Sequence, residues 1–291
     1  MSDLARMVDE TADAVRARAN LEPRVGIVLG SGLSGFAEKL RRAVRIPFAD
    51  LPHMPVLGVA GNPGNLIVGF VDDVPVVCLE GRAHVYEGFP AWQVVHGVRV
   101  MARLGVRAAL LTNAAGAVDP SWTPGTLMVV VDHIDLMAHE PLVGLGELAT
   151  TPYPDMRAAY DEALREELYA AADAENHLSA RIAPGSLAIV LEDGVYAALR
   201  DPSCETPAQV KMLRTVGASV IGASTVPEMT ALRQMGVRAA ALSYVSHYAA
   251  GVSAESMDEE PTSRLTLVPL HRIARAWILR ADRLFDTRDR T

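Results

Sequence analysis

The chain has 291 residues, half of them hydrophobic, and a formal net charge of −8. That length can bury the core of one large α/β domain, and the lack of a basic cluster argues against a nucleic-acid partner. No apolar run is long enough to span a membrane, the first residues lack a signal-peptide core, and Cys78 and Cys204 sit in no metal-ligand or disulfide spacing, so the reading is a soluble, cytoplasmic protein.

Residues 2–20 carry Leu4, Met7, Val8, Ala12 and Val15 near helical spacing and predict an amphipathic helix. Arg24–Leu29 reads as a short strand, followed by Gly30-Ser31-Gly32-Leu33-Ser34-Gly35 and a helical stretch, Phe36–Leu40. The Pro- and Gly-rich residues 46–65 read as strand fragments and a loop. Leu66–Phe70 and Val74–Leu79 predict a hairpin around Asp72-Asp73. Ala91–Leu104 fits a helix, Ala108–Thr112 a buried strand and Thr126–Val131 another. A long loop covers 139–157, and a helix follows over Ala158–Ala172. Ser186–Leu191 reads as a strand ending in Glu192-Asp193-Gly194, and a helix starts at Pro207. Val220–Ile221 is a short strand, Pro227–Met235 a helix, Ala239–Val245 a strand and Leu265–Phe285 a closing helix. With no repeat and no linker, residues 1–291 read as one domain.

Two stretches carry chemistry. The first is the literal G-x-G-x-x-G after a strand, with Asp50 downstream. It permits a dinucleotide fold, but the more general reading is an anion held by main-chain N–H groups at a helix start. The second is Glu80–Gly88, EGRAHVYEG, where Arg82, His84 and Tyr86 alternate with Ala83 and Val85. If extended, they share one face. A guanidinium fork, an imidazole and a phenol suit an anion beside a small organic group. A solvated turn is the plain alternative. Ser31, Arg82, Asn113, Ser224 and His247 each fall just past a predicted strand end, and Glu205 sits in a loop before a helix. In open α/β sheets ligands bind at that rim.

These residues also carry a resemblance. The motifs LGSGLSGF, EGRAHVYEGF, TNAAGAV, EDGVYAALRDPSCETPAQ and GASTVPE, in that order from about Val25 to Val252, resemble the trimeric type of purine nucleoside phosphorylase, the family that includes methylthioadenosine phosphorylase. The resemblance implies an α/β fold: a single domain with a mixed, twisted, barrel-like sheet flanked by helices. It implies phosphorolysis of purine nucleosides to free base and (deoxy)ribose 1-phosphate. Inorganic phosphate would be co-substrate, with no metal and no other cofactor. It implies a homotrimer with nucleoside and phosphate as its partners. Phosphate would be bound by Ser31, Arg82, His84, Asn113, Ala114 and Ser224. Tyr86 would line the ribose and Glu205 would hold the base edge. On this reading Arg82→Ala should weaken phosphate saturation with little loss of fold.

The chain departs from the pattern on the base side. His247 stands where the family has Asn near the leaving nitrogen, Cys204 where it has an aromatic wall, Asp201 where it has Gly, and Ala223 where it has Met. Asn62 stands for a phosphate-lid histidine, and no histidine near Thr262–Arg264 matches the one beside the ribose 5′ group. His84, Glu205 and His247 are the catalytic candidates, with Tyr86, Cys204 and Ala223 completing the nucleoside pocket. His247 would bond or protonate the leaving base; the alternative is that it fills the space beside Ala223. Glu205 could instead be a helix N-terminal acid. Tyr153 could reach a neighbouring subunit or pack in its own chain, and His133 and His139 read as structural. Three other functions stay open: an unusual-nucleoside or methylthioadenosine phosphorylase, a non-catalytic phosphate- or nucleoside-binding homologue, and an NAD-dependent oxidoreductase.

Overall fold

Val25–Leu29 (β1) is apolar on both faces and buried throughout, so it needs covering on two sides. The computed structural model describes residues 3–30, 33–58, 62–142, 153–183, 188–200, 205–253 and 260–286. In it β1 runs parallel to Val74–Glu80 (β4) on one side and to Ala108–Ala117 (β5) on the other. Asn65–Val71 (β3) folds back on β4 through a tight turn, with Asp72 at φ 51°, and Arg41–Pro47 (β2) forms the antiparallel edge. Beyond β1 the sheet closes. β5 pairs in parallel with Arg238–Tyr248 (β9) and, at its end, antiparallel with Val220–Gly222 (β8). Leu191–Ala198 (β7) and Leu127–Asp135 (β6) bridge β8 back to β9. β5, β8, β7, β6 and β9 thus form a closed ring, and β1 to β4 are its open flap. This is the barrel-like mixed sheet that the resemblance implies.

Helices cover both faces. Asp3–Arg18 (α1), Ala91–Val94 (α2), His96–Arg103 (α3) and Val226–Gln234 (α6) lie over one core. Glu162–Ile182 (α4) and Glu260–Asp286 (α7) pack together over the other. Fully buried Trp277 donates from Nε1 to the Leu164 carbonyl at 2.8 Å and pins α7 to α4. A bidentate Arg24–Asp282 pair at 2.6 and 2.7 Å ties α7 to the start of β1. Pro207–Thr215 (α5) begins with a reciprocal capping box between Thr206 and Gln209.

The sequence reading needs correction in places. The stretch after Gly35 is a 3₁₀ turn over Ser34–Lys39, and β2 follows it unforeseen. Ala91–Leu104 is broken at Val95 into α2 and α3. Of the strand expected at Ser186–Leu191, residues 186 and 187 lie outside the described residues and 188–190 are not strand; β7 runs over Leu191–Ala198, so Glu192, Asp193 and Gly194 sit inside it. α4 starts later than expected and extends to Ile182. Asn113, Ala114 and His247 lie within the last turns of long strands, not past them, because β5 and β9 keep pairing to Ala117 and Tyr248.

Buried His96 sets a pH dependence. Its Nε2 lies 2.8 Å from Thr11 Oγ1, while that hydroxyl is 2.8 Å and 2.7 Å from the carbonyls of Met7 and Pro52. One hydroxyl proton serves one carbonyl, and the oxygen accepts from the imidazole. Burial first, then the charges of His53 and Arg99, depress its pKa from 6.5 to about 3. Between those values the unfolded chain binds a proton that the folded chain refuses, so stability falls as pH drops below 6.5. His96→Gln should reduce the stability lost between pH 6.5 and 5 by roughly 2 kcal/mol in urea titrations. An unchanged slope would assign the acid sensitivity elsewhere.

Candidate active site

Gly81 turns the chain out of β4 at φ 113°, and a Cβ there would lie 2.5 Å from Asn62 Oδ1. That clearance lets Asn62 clamp the next residue's main chain. Its Oδ1 accepts from Arg82 N at 2.9 Å and its Nδ2 donates to Arg82 O at 2.6 Å. The Arg82 side chain is then led under the sheet, where the residue is only 5% exposed. Nε donates to the buried Glu228 carboxylate at 3.0 Å, and Nη1 to Thr112 O at 3.0 Å and Ser224 Oγ at 3.2 Å. Nη2 is buried and has no hydrogen-bond partner among the described residues. A buried cationic donor left open is costly unless something anionic completes it.

That guanidinium faces a cavity of about 90 Å³ lined by Gly30, Arg82, His84, Tyr86, Asn113, Ala114, Ala223 and Ser224. Tyr86 sits in a 3₁₀ turn, Val85–Glu87, not in an extended run, yet it still joins Arg82 and His84 at the cavity. The imidazole of His84 stacks on the Tyr86 ring at 4.7 Å and 14°. Burial, then the Arg82 charge, lowers the His84 pKa from 6.5 to about 4, against the opposing pull of Glu87. It is therefore neutral near pH 7. Glu87 accepts from His84 N at 2.9 Å and holds the turn. Burial raises the Tyr86 phenol above its usual value, so it stays protonated.

The third wall is strained. Thr225 has φ 71° and ψ −50°, and Val226 N donates to Ser224 O at 2.8 Å, which together make a positive-φ γ-turn. For a β-branched residue this costs on the order of 1–3 kcal/mol. Asn113 Nδ2 donates to Thr225 Oγ1 at 3.0 Å, and Ser224 N donates to the Tyr196 hydroxyl at 3.3 Å. The turn aims Ser224 Oγ at Arg82 and begins α6, whose first turn carries Glu228.

On the other side, His247 pairs in register with Gly116, where a Cβ would lie 2.8 Å from His247 Nε2. The missing side chain makes room for the imidazole, whose Nδ1 is 2.8 Å from Ser246 Oγ. Glu205 Oε1 accepts from Ala250 N at 2.9 Å, tying the start of α5 to the segment after β9. Neither His247 nor Glu205 is among the residues that line the 90 Å³ cavity. Asn62 is not either, since both ends of its amide are used on the Arg82 main chain. Ser31, Asp201 and Cys204 lie outside the described residues. Sequence reasoning missed Glu228, Thr225 and Tyr196. All three lie in the motifs GASTVPE and EDGVYAALRDPSCETPAQ, which were quoted without giving these residues a task.

The chain is similar to known proteins over most of its length. A family model described as "Phosphorylase superfamily" matches residues 24–269. Purine nucleoside phosphorylase 1 of Geobacillus stearothermophilus is 37% identical over 246 residues, covering 84% of this chain and 85% of its own. Purine nucleoside phosphorylase 1 of Bacillus subtilis (strain 168) is 36% identical over 260 residues, 89% of this chain and 92% of its own. Among solved structures, a Schistosoma purine nucleoside phosphorylase in complex with hypoxanthine superposes with a TM-score of 0.80 at 30% identity, covering 93% of this chain and 95% of that one.

The Arg82–Glu228 pair generates a prediction and corrects an expectation. Arg82→Ala would strand the buried carboxylate, so it cannot be neutral for the fold. Conversely, Glu228→Ala leaves Arg82 uncompensated and should cost roughly 3–5 kcal/mol in urea unfolding. Equal stability of Glu228→Ala and the parent would mean that the pair does not brace the site.

Proposed function

The chain belongs to the phosphorylase superfamily, and from that premise we infer how its own residues carry out purine nucleoside phosphorolysis. The enzyme splits the N-glycosidic bond of a purine nucleoside with phosphate, giving free base and (deoxy)ribose 1-phosphate. The observation that carries the residue-level reading is the Arg82 guanidinium, which lines the cavity with Ser224: Nη1 donates to Ser224 Oγ, and Nη2 is a buried cationic donor with no partner among the described residues. Phosphate is the co-substrate that completes it. Ser224 and Ser31 add hydroxyl donors, Ala114 a main-chain N–H, and Asn113 braces the turn that carries Ser224. Asn62 acts through the Arg82 main chain. Neutral His84 has one ring proton to donate, and the arriving dianion pulls its pKa back up.

Tyr86 offers its apolar face to the sugar. As the C1′–N bond lengthens, positive charge spreads over C1′ and the ring oxygen, as in glycoside cleavage. The phosphate dianion, held against the sugar, stabilises that cation and then forms the new C1′–O bond. The base departs with the electron pair of the broken bond and needs a proton or a strong donor. His247 supplies it, from the position where the family has Asn, and Glu205 accepts from an N–H of the base edge. The small residues Cys204 and Ala223, where the family has an aromatic and Met, favour a second reading: a methylthioadenosine or other bulky nucleoside as substrate. Ala223 lines the cavity, in line with that alternative.

The single domain over 1–291 is supported by the continuous sheet. A cytoplasmic homotrimer is supported by the family resemblance. Tyr153, 87% exposed before α4, suits a contact with a neighbouring subunit. Among the described residues no helix is long and apolar enough to cross a membrane.

Release of free base from inosine, guanosine, adenosine and methylthioadenosine, each with and without phosphate, tests the reading. Release only with phosphate, with ribose 1-phosphate as second product, is expected. Phosphate-independent release, or none from any nucleoside by folded protein, would overturn it. His247→Asn should shift the ratio of kcat/KM between 6-oxo- and 6-aminopurine nucleosides at least tenfold, a change of about 1.4 kcal/mol in relative transition-state energy. An unchanged profile would remove His247 from the base.

A further inference from the structure

A second crevice lies on the far side of the open flap, between α7 and the β2–β3 edge. It holds about 110 Å³, and its floor is apolar, built from Phe36, Leu40 and Val71. Four cations ring it, but two are already matched: Arg272 pairs with Glu175 at 2.6 Å and Arg275 with Asp72 at 2.5 Å. Lys39 and Arg41 remain as surplus positive charge in a chain of net −8. Arg41 makes a long contact of 3.5 Å to the Asp72 carbonyl.

His271 stands at the inner wall, 9% exposed, with its ring 6.0 Å from that of Phe36. Its Nε2 is buried without a hydrogen-bond partner among the described residues. Burial, then Lys39, lowers its pKa, while a hydrogen bond to the Leu33 main chain opposes them. The ring is therefore neutral near pH 7. The nitrogen serving Leu33 keeps the proton, and Nε2 is left as an acceptor. A buried acceptor without a donor is the exception in folded proteins. An apolar floor, two rim cations and an inner acceptor describe one ligand chemistry. A guanidinium fork and an ammonium suit a carboxylate head.

We propose that this crevice is a binding site for a small hydroxylated aromatic carboxylate. The carboxylate lies between Lys39 and Arg41, the ring lies on Phe36, Leu40 and Val71, and the hydroxyl donates to His271 Nε2. The site is separate from the strand-end cavity, with which it shares no lining residue.

The test is calorimetric titration of 3-hydroxybenzoate, 4-hydroxybenzoate and benzoate into the full chain. At least one hydroxybenzoate should bind, several-fold tighter than benzoate. Lys39→Glu, an exposed change that leaves phosphorolysis intact, should weaken it at least tenfold. His271→Phe should abolish the preference for the hydroxyl. No binding of either hydroxybenzoate, or affinities unchanged by Lys39→Glu, would overturn the proposal. So would binding lost in a folded Arg82→Gln/Glu228→Gln double variant but kept in Lys39→Glu, which would assign the carboxylate to the strand-end cavity. Phosphorolysis by Lys39→Glu is read separately, so the fate of this site and that of the catalytic reading stay distinguishable.

Discussion

The site rests on one buried ion pair. Arg82 and Glu228 come from segments 146 residues apart, and each is nearly sealed from water. Bringing two charges into a low-dielectric interior is costly unless their remaining groups are matched. Arg82 meets this with Glu228, the Thr112 carbonyl and Ser224 Oγ, and still leaves Nη2 over. That surplus donor is the feature on which the proposed phosphate role rests. The Glu228 carboxylate meets Arg82 at Nε, and Glu228 is not among the residues lining the cavity.

The closed ring of strands makes this arrangement rigid. β5 is shared by the flap and the ring: Ala108–Leu111 pair with β1 on one side, and Thr112 and Asn113 continue in register with β9 on the other. Thr112 Oγ1 donates to Val28 O and accepts from Gly30 N, which ties the glycine turn to the same strand. The strained turn at Thr225 persists because Asn113 and the start of α6 over-determine it. Arg82 thus joins the end of β4 to β5 through the Thr112 carbonyl and to the Ser224–Glu228 segment through Ser224 Oγ and Glu228.

Much of this was legible in the sequence. Apolar runs located β1, β3, β4 and β5, and the Arg82–His84–Tyr86 alternation marked the cavity wall. β2 was not, because RRAVRIP at a sheet edge is mostly exposed and carries no clear alternation. β7 was displaced because Val190 is apolar yet exposed, while Glu192 and Asp193 are strand residues whose side chains face solvent. Glu228 was invisible as a partner, since no local spacing reports a contact over that separation. Of the groups assigned to the nucleoside, Tyr86 and Ala223 line the cavity, whereas Glu205 and His247 are not among its lining residues.

The central claim is that the Arg82 charge, not the shape of the rim alone, makes the cavity an anion site. The double variant Arg82→Gln/Glu228→Gln removes both charges together and leaves neither stranded. Calorimetric titration of inorganic phosphate into this variant and into the parent isolates that charge. A loss of at least tenfold in phosphate affinity, with the melting temperature held, is the predicted result. Equal affinity in a folded double variant would contradict the account.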